Sequence, residues 1–284
     1  MGGAWSREKL GLLLRVGVFL FLAVVGLVVF SRLAFAVGDF LIAAALGTFA
    51  AAAVANALAL RIYERGQLAD IGMHWNAASC RNLLVGVAGG VGAALLVLGL
   101  PLAAGVATLQ PDADYPASWG SFFFLTLVLL FGAIGEELLF RGYGFQVLVV
   151  ELGPFATILP VSVIFGVVHA ANPSATTMGL VNTVGWGVIL GVAFLRSGDL
   201  WLPIGLHFGW NWILPIFGVN LSGFTIKIAG YAMEWKAGSL WSGGAYGPEG
   251  GLLTSLVLVL LSLYLWKAPI EGQTPFLARS RKER

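Results

Sequence analysis

An all-α integral membrane protein of about eight transmembrane helices, both termini cytoplasmic, is the fold class that the sequence predicts, and three observations predict it. Of 284 residues, 58% are hydrophobic and only 11% charged, with a mean hydropathy of +0.89, against roughly 25% charged residues in a soluble domain. Apolar stretches of about 20 residues, enough to cross a hydrocarbon core of roughly 30 Å, recur along the whole length. Lysine and arginine gather in alternate connections, as they do on the cytoplasmic side of a membrane. No soluble domain fits between the spans, so residues 1–284 are expected to form one membrane domain. Cys80 stands alone, which excludes an intrachain disulfide and any site with several cysteine ligands. There is no phosphate loop, dinucleotide glycine pattern or serine-nucleophile elbow, and no nucleic-acid partner is expected.

In chain order, the first span runs from about Leu10 to Phe30 behind Arg7 and Lys9, with Arg15 near enough to its start to snorkel. It lacks a small-residue cleavage site and a second span, about Phe40 to Leu60, soon follows, so a retained helix is expected. Between them lie only Arg32 and Asp39. The connection Arg61 to Asn82 holds Arg61, Arg65 and Arg81 and reads as cytoplasmic. The third span, about Leu83 to Val106, has Gly86 and Gly90 four residues apart, a spacing that lets a neighbouring helix approach closely. The loop Gln110 to Ser118, with Asp112 and Asp114 and no basic residue, reads as outer. The fourth span, about Trp119 to Phe140, returns inward and ends in an acidic pair. Residues 142–159 are interrupted by Glu151, Gly153 and Pro154 and are expected near the cytoplasmic interface, with Pro160 opening a short fifth span that stops near Asn172-Pro173. The sixth, about Met178 to Leu195, and the seventh, about Leu202 to Val219, precede a long aromatic connection, 220–250, read as interfacial. The eighth, about Gly251 to Trp266, leads to a tail with Lys267, Arg279, Arg281, Lys282 and Arg284, read as cytoplasmic.

Chemistry is concentrated between residues 119 and 219. Ionisable groups inside a bilayer are costly and mark function by default. Glu136, Glu137 and Arg141 end the fourth span, while His169 and His207 each sit in apolar sequence. Adjacent helical residues point about 100° apart and residues four apart share a face, so Glu137 can pair with Arg141 while Glu136 points elsewhere and is free to act as a general base. Two histidines and a carboxylate could ligate zinc, or the same groups could hold a water by hydrogen bonds alone, so the cofactor stays open, with zinc on His169 and His207 as one option. Asn211, one turn from His207, is placed to donate to an oxyanion. Phe165 shares a face with His169 and is expected to pack it. His74 is read as non-catalytic, and Trp210 and Trp212 as packing or anchoring residues. With the fifth span starting at Pro160, the three segments would meet within roughly 10 to 14 Å of the cytoplasmic boundary, at 1.5 Å per residue, in a cavity open to the cytoplasm.

Glu136-Glu137-Leu-Leu-Phe-Arg141, Phe165-x-x-x-His169 and His207-x-x-x-Asn211, in that order in a polytopic chain, resemble the three motifs of the CAAX prenyl protease and bacteriocin-processing (CPBP, Abi) family of intramembrane endopeptidases. The resemblance implies Glu136 as the water-activating glutamate, His169 and His207 as its partners, Asn211 as the oxyanion contact, and Glu137 and Arg141 as the supporting pair. It also implies a peptide or protein substrate, lipidated in some members, in the cell membrane. Two other classes use the same cluster: a non-enzymatic immunity or scaffold protein binding a peptide or lipidated partner, and a proton-coupled small-solute transporter, against which the lack of an internal repeat argues.

Overall fold

The computed structural model describes residues 2–36, 38 and 40–274; Asp39 and the tail arginines and lysine at 279–284 lie outside the described residues. Helix follows helix: α1 (Gly2–Phe35), α2 (Phe40–Tyr63), α3 (Ala77–Ala103), α4 (Trp119–Arg141), α5 (Tyr143–Leu152), α6 (Pro154–Val168), α7 (Thr177–Ser197) and α8 (Trp201–Ile216), then the one-turn α9 (Ser239–Ser242) and α10 (Leu252–Lys267). Among the described residues, six helical segments are long and apolar enough to cross a membrane: Lys9–Phe35, Phe40–Tyr63, Ala77–Ala103, Trp119–Leu152, Pro154–Ala171 and Thr177–Ser197. Helices α8 and α10 have 16 residues each, about 24 Å at 1.5 Å per residue. The outward faces of the helices are apolar: Leu13 of α1, Trp119 of α4, Phe155 of α6 and Trp266 of α10 are all more than two-thirds exposed, as suits helices surrounded by lipid. Among the described residues, strand structure is confined to two loops at one end of the bundle, where β1 (Ala107–Pro111) pairs antiparallel with β2 (Tyr231–Trp235), from Ala107 opposite Trp235 to Pro111 opposite Tyr231.

Local chemistry sets the helix ends. Asn76 caps α3 by accepting from Ser79 N at 2.8 Å, and Thr176 caps α7 by accepting from Gly179 N at 3.0 Å. Gly198, at φ +67°, closes α7 in the left-handed conformation, and the Asp199 carboxylate then accepts from the Trp201 and Leu202 amides to start α8. The expected start of the fifth span at Pro160 is corrected. Gly153, at φ +90°, breaks the chain and Pro154 takes the first helical position, where a missing N–H is harmless. Pro160 lies inside α6, so His169 ends a helix that begins at residue 154. Residues 143–152 form the separate short helix α5. Arg15, expected to snorkel, instead donates through Nε to the Tyr143 hydroxyl at 3.0 Å and pairs with Glu64.

Two apolar clusters meet at α4. One gathers Leu98, Leu190, Leu206, Trp210 and Leu261 from α3, α7, α8 and α10; the other gathers Phe19, Ala55, Leu60, Tyr143 and Phe145 from α1, α2 and α5. Leu129 of α4 belongs to the first and Leu138 to the second, so the motif-bearing end of α4 lies at the seam. Opposite it, α3 and α8 approach through glycines. A Cβ on Gly86 would meet the Leu202 carbonyl at 2.3 Å and one on Gly90 the Leu206 carbonyl at 2.1 Å, while Gly205 and Gly209 reciprocate against the Leu83 and Val87 carbonyls. The small-residue spacing is therefore a packing device, and it fixes the helix that carries His207.

Substituting Gly90→Leu should force α3 and α8 apart and cost at least about 1–3 kcal/mol, the range for overpacking. Gly92, with open space around its Cα, should accept leucine. Thermal unfolding of the two variants in detergent checks this, and equal midpoints would refute the role given to the contact.

Candidate active site

The i,i+4 spacing on α4 does what helical geometry demands. Arg141 Nη1 donates to Glu137 Oε1 at 3.2 Å, and the two side chains are 1% and 0% exposed. Nη2 of the same guanidinium donates to the Gly187 carbonyl at 2.9 Å. Gly187 is needed there, because a Cβ would sit 2.8 Å from Ser162 Cα on α6. The Phe165 ring lies 4.9 Å from the guanidinium carbon, supplying a cation–π contact in place of water. Phe165 thus packs more than His169: it also covers the buried charge.

His207 completes the cluster from α8. Its Nδ1–H donates to Glu137 Oε1 at 2.8 Å, so one carboxylate oxygen accepts from both the guanidinium and the imidazole. That bond fixes the ring and turns Nε2 toward Glu136, whose Oε2 lies 3.8 Å away, beyond hydrogen-bonding reach. Glu136 is the freer carboxylate, its side chain 33% exposed and Oε2 without a hydrogen-bond partner among the described residues. His169, at the end of α6, donates Nδ1–H to the Phe165 carbonyl at 2.7 Å, which leaves Nε2 as its second functional atom. Its ring is 4.7 Å from that of Phe165, whose edge also meets His207.

Glu136, His169, His207 and Asn211 all line one cavity of about 360 Å³, so residues 75 apart in sequence share a chamber. Trp210 joins them, 2% exposed and packed on Trp186 at 4.9 Å, whereas Trp212 points to α4 and donates to Thr126 at 2.9 Å. His74 lies in a separate network with Gln273 and Trp201, as its non-catalytic reading requires. A metal would need several donors converging on one point. Among the described residues no three His, Cys, Asp or Glu side chains form such a group. The Nδ1 atoms of both motif histidines are held by protein acceptors and their Nε2 atoms are left over, but without a third donor converging on them the side chains as they stand do not make a zinc site.

Two further residues belong to the site. Asn56, buried in α2, donates to the Leu138 carbonyl at 2.9 Å and accepts from Tyr143 N at 2.7 Å, clasping the break at Gly142 immediately after Arg141. Its signal was an amide inside an apolar span. Glu249 lines the cavity from the long loop before α10, with its carboxylate accepting from Ser222 N and Oγ and from Trp210 Nε1 at 3.2 Å. Burial pushes its carboxyl above the ordinary range, while the Ser222 and Trp210 hydrogen bonds pull the other way. Set in Gly247-Pro-Glu-Gly-Gly251, it offered no sequence signal.

No curated protein and no solved structure matches the chain. Across residues 118–213, the stretch that holds all three motifs, the chain matches the family model described as type II CAAX prenyl endopeptidase Rce1-like, a protease family of membrane proteins, in agreement with the family that those motifs resemble.

Proposed function

We propose that the chain is an intramembrane endopeptidase of eight crossings with both termini cytoplasmic, in which Glu136 activates a water molecule against a peptide carbonyl. One observation carries the reading: of two adjacent glutamates, Glu137 is locked between Arg141 and His207, while Glu136 faces a cavity shared with His169, His207 and Asn211. The division of labour follows. Glu137 orients His207, much as a buried carboxylate orients the imidazole of a hydrolytic triad, and Arg141 holds Glu137 in place from the other side. A water held by the exposed part of the Glu136 carboxylate in the cavity, on the side of His207, would be the nucleophile.

Glu136 takes a proton from that water as the oxygen adds to the scissile carbonyl carbon. The carbonyl π electrons move onto oxygen, and the Asn211 amide donates to the resulting oxyanion. On collapse the C–N bond breaks, and the departing nitrogen receives the proton that Glu136 gained, relayed by Nε2 of His169. Every atom is accounted for by water and peptide alone. The substrate is a peptide or protein, and the apolar half of the cavity, with Leu41, Ala44, Val128 and Leu139, would accept its hydrophobic portion.

Glu136→Gln is expected to abolish turnover with the unfolding midpoint unchanged, whereas Arg141→Ala strands a buried carboxylate and should cost about 3–5 kcal/mol of stability as well as activity. Equal stability losses would sink the assignment of roles. Asn211→Ala should lower kcat by about 10²–10³, or ~2.7–4 kcal/mol, with little change in KM; a change confined to KM would make it a binding residue. Turnover by purified protein should persist in a strong chelator, and loss restored by added zinc would replace glutamate-activated water with a metal mechanism.

A further inference from the structure

The cavity is lined entirely from one end of the bundle and its middle. Phe40 begins α2, Asn172 follows α6, Ser222, Phe224 and Ile226 follow α8, and Glu249 precedes α10; all lie on the strand side. The opposite end contributes nothing from residues 60–77, 142–160 or 197–206. It is filled instead. Leu60, Leu138, Tyr143 and Phe145 pack there, Gln146 donates to the Ile71 carbonyl at 2.9 Å, and Asn56 clasps the α4–α5 break. Depth agrees with the lining. Arg141 binds the carbonyl of Gly187, ten residues from either end of α7 (187 − 177 and 197 − 187), so the ion pair lies halfway across. Ser162 of α6 packs at the same level, and His169, seven residues on, is about 10 Å nearer the strand side at 1.5 Å per residue.

The two ends differ in charge. Among the described residues, the filled end carries Arg61, Arg65, Arg81, Arg196 and Lys267, whereas the strand end has only Arg32, Lys227 and Lys236 as basic residues, with Lys227 paired to Asp112. Basic residues mark the cytoplasmic side, so the strand end faces outward. The expected opening to the cytoplasm rested on a fifth span starting at Pro160; with α6 starting at Pro154, His169 moves toward the other face.

Resting on the hydrolytic reading above, we propose that the cavity is entered from the outer face of the membrane, and that its substrate is a polypeptide segment exposed at the extracytoplasmic surface. Water, peptide and the residues of the long outer loop then meet on that side, and the cytoplasmic end serves only as the floor of the site.

Single cysteines at Asn172 and Thr225 on the strand end, and at Gln67 on the filled end, each in a Cys80→Ala background, test the orientation in intact cells with a charged, membrane-impermeant thiol reagent. Labelling of the first two in intact cells, with Gln67→Cys reacting only after permeabilisation, is the expected result; the reverse pattern overturns the proposal. Labelling needs no turnover, so Glu136→Gln should leave the pattern unchanged, and a protein that hydrolysed nothing would still report its orientation. Mapping new protein N-termini in wild-type against Glu136→Gln cells then reads the substrate class. Wild-type-specific N-termini in extracytoplasmic segments are expected, and N-termini confined to cytoplasmic segments overturn it. Identical N-termini in the two strains overturn the hydrolytic reading instead.

Discussion

A single carboxylate oxygen, Glu137 Oε1, holds the molecule's functional core together. It accepts from Arg141 on its own helix and from His207 on α8, and the Glu137–Arg141 pair is shut away from water. Removing charges from water costs several kcal/mol per ion even after relaxation, so such a group persists only where geometry and hydrogen bonding repay the desolvation. Here the repayment draws on four elements: the Gly187 carbonyl of α7 takes the second guanidinium nitrogen, and the Phe165 ring of α6 covers its face. Because the pair on α4 takes its remaining partners from α6, α7 and α8, the ion cluster acts as the register mark of the bundle. A helix that slipped by one turn would leave the buried pair short of a hydrogen-bond or ring partner.

This constraint separates two chemically identical neighbours. Glu136 and Glu137 differ only by the rotation of one helical residue, yet one ends against a guanidinium and an imidazole and the other in a cavity. The imidazole is oriented from behind by Glu137 and turns its Nε2 toward Glu136. On the function proposed above, a residue pair that reads as repetition is thus a support and a base.

Much of this was legible in the sequence, for reasons that can be traced to particular residues. Helical periodicity suffices to pair Glu137 with Arg141, and hydropathy suffices to place α2, α4 and α7 to within a few residues. The glycine spacing at Gly86 and Gly90 announced a close crossing, and Gly205 and Gly209 carry the same spacing, but spacing alone does not say which span a glycine face packs against. What the sequence hid was long-range or dependent on a backbone conformation. Pro154 and Pro160 both suit a first helical turn, and only the positive φ of Gly153 decides between them. Glu249 enters the cavity because a loop of some thirty residues folds back over it, anchored by strand pairing between two segments more than a hundred residues apart. Periodicity carries no information about such a return.

The glycine crossing of α3 and α8 has a further consequence. Side chains that pack must surrender rotameric freedom, at up to about 2 kcal/mol each for the longest, whereas glycine has none to surrender. The contact that seats His207 is therefore made of main-chain atoms whose positions are set by bond lengths and helix geometry alone. Nothing in it can re-sort into alternative packings as temperature or the surrounding lipid changes. The imidazole stands on a rigid mount inside a fluid solvent, and variation in bilayer composition should reach the rim of the cavity long before it reaches the reacting atoms.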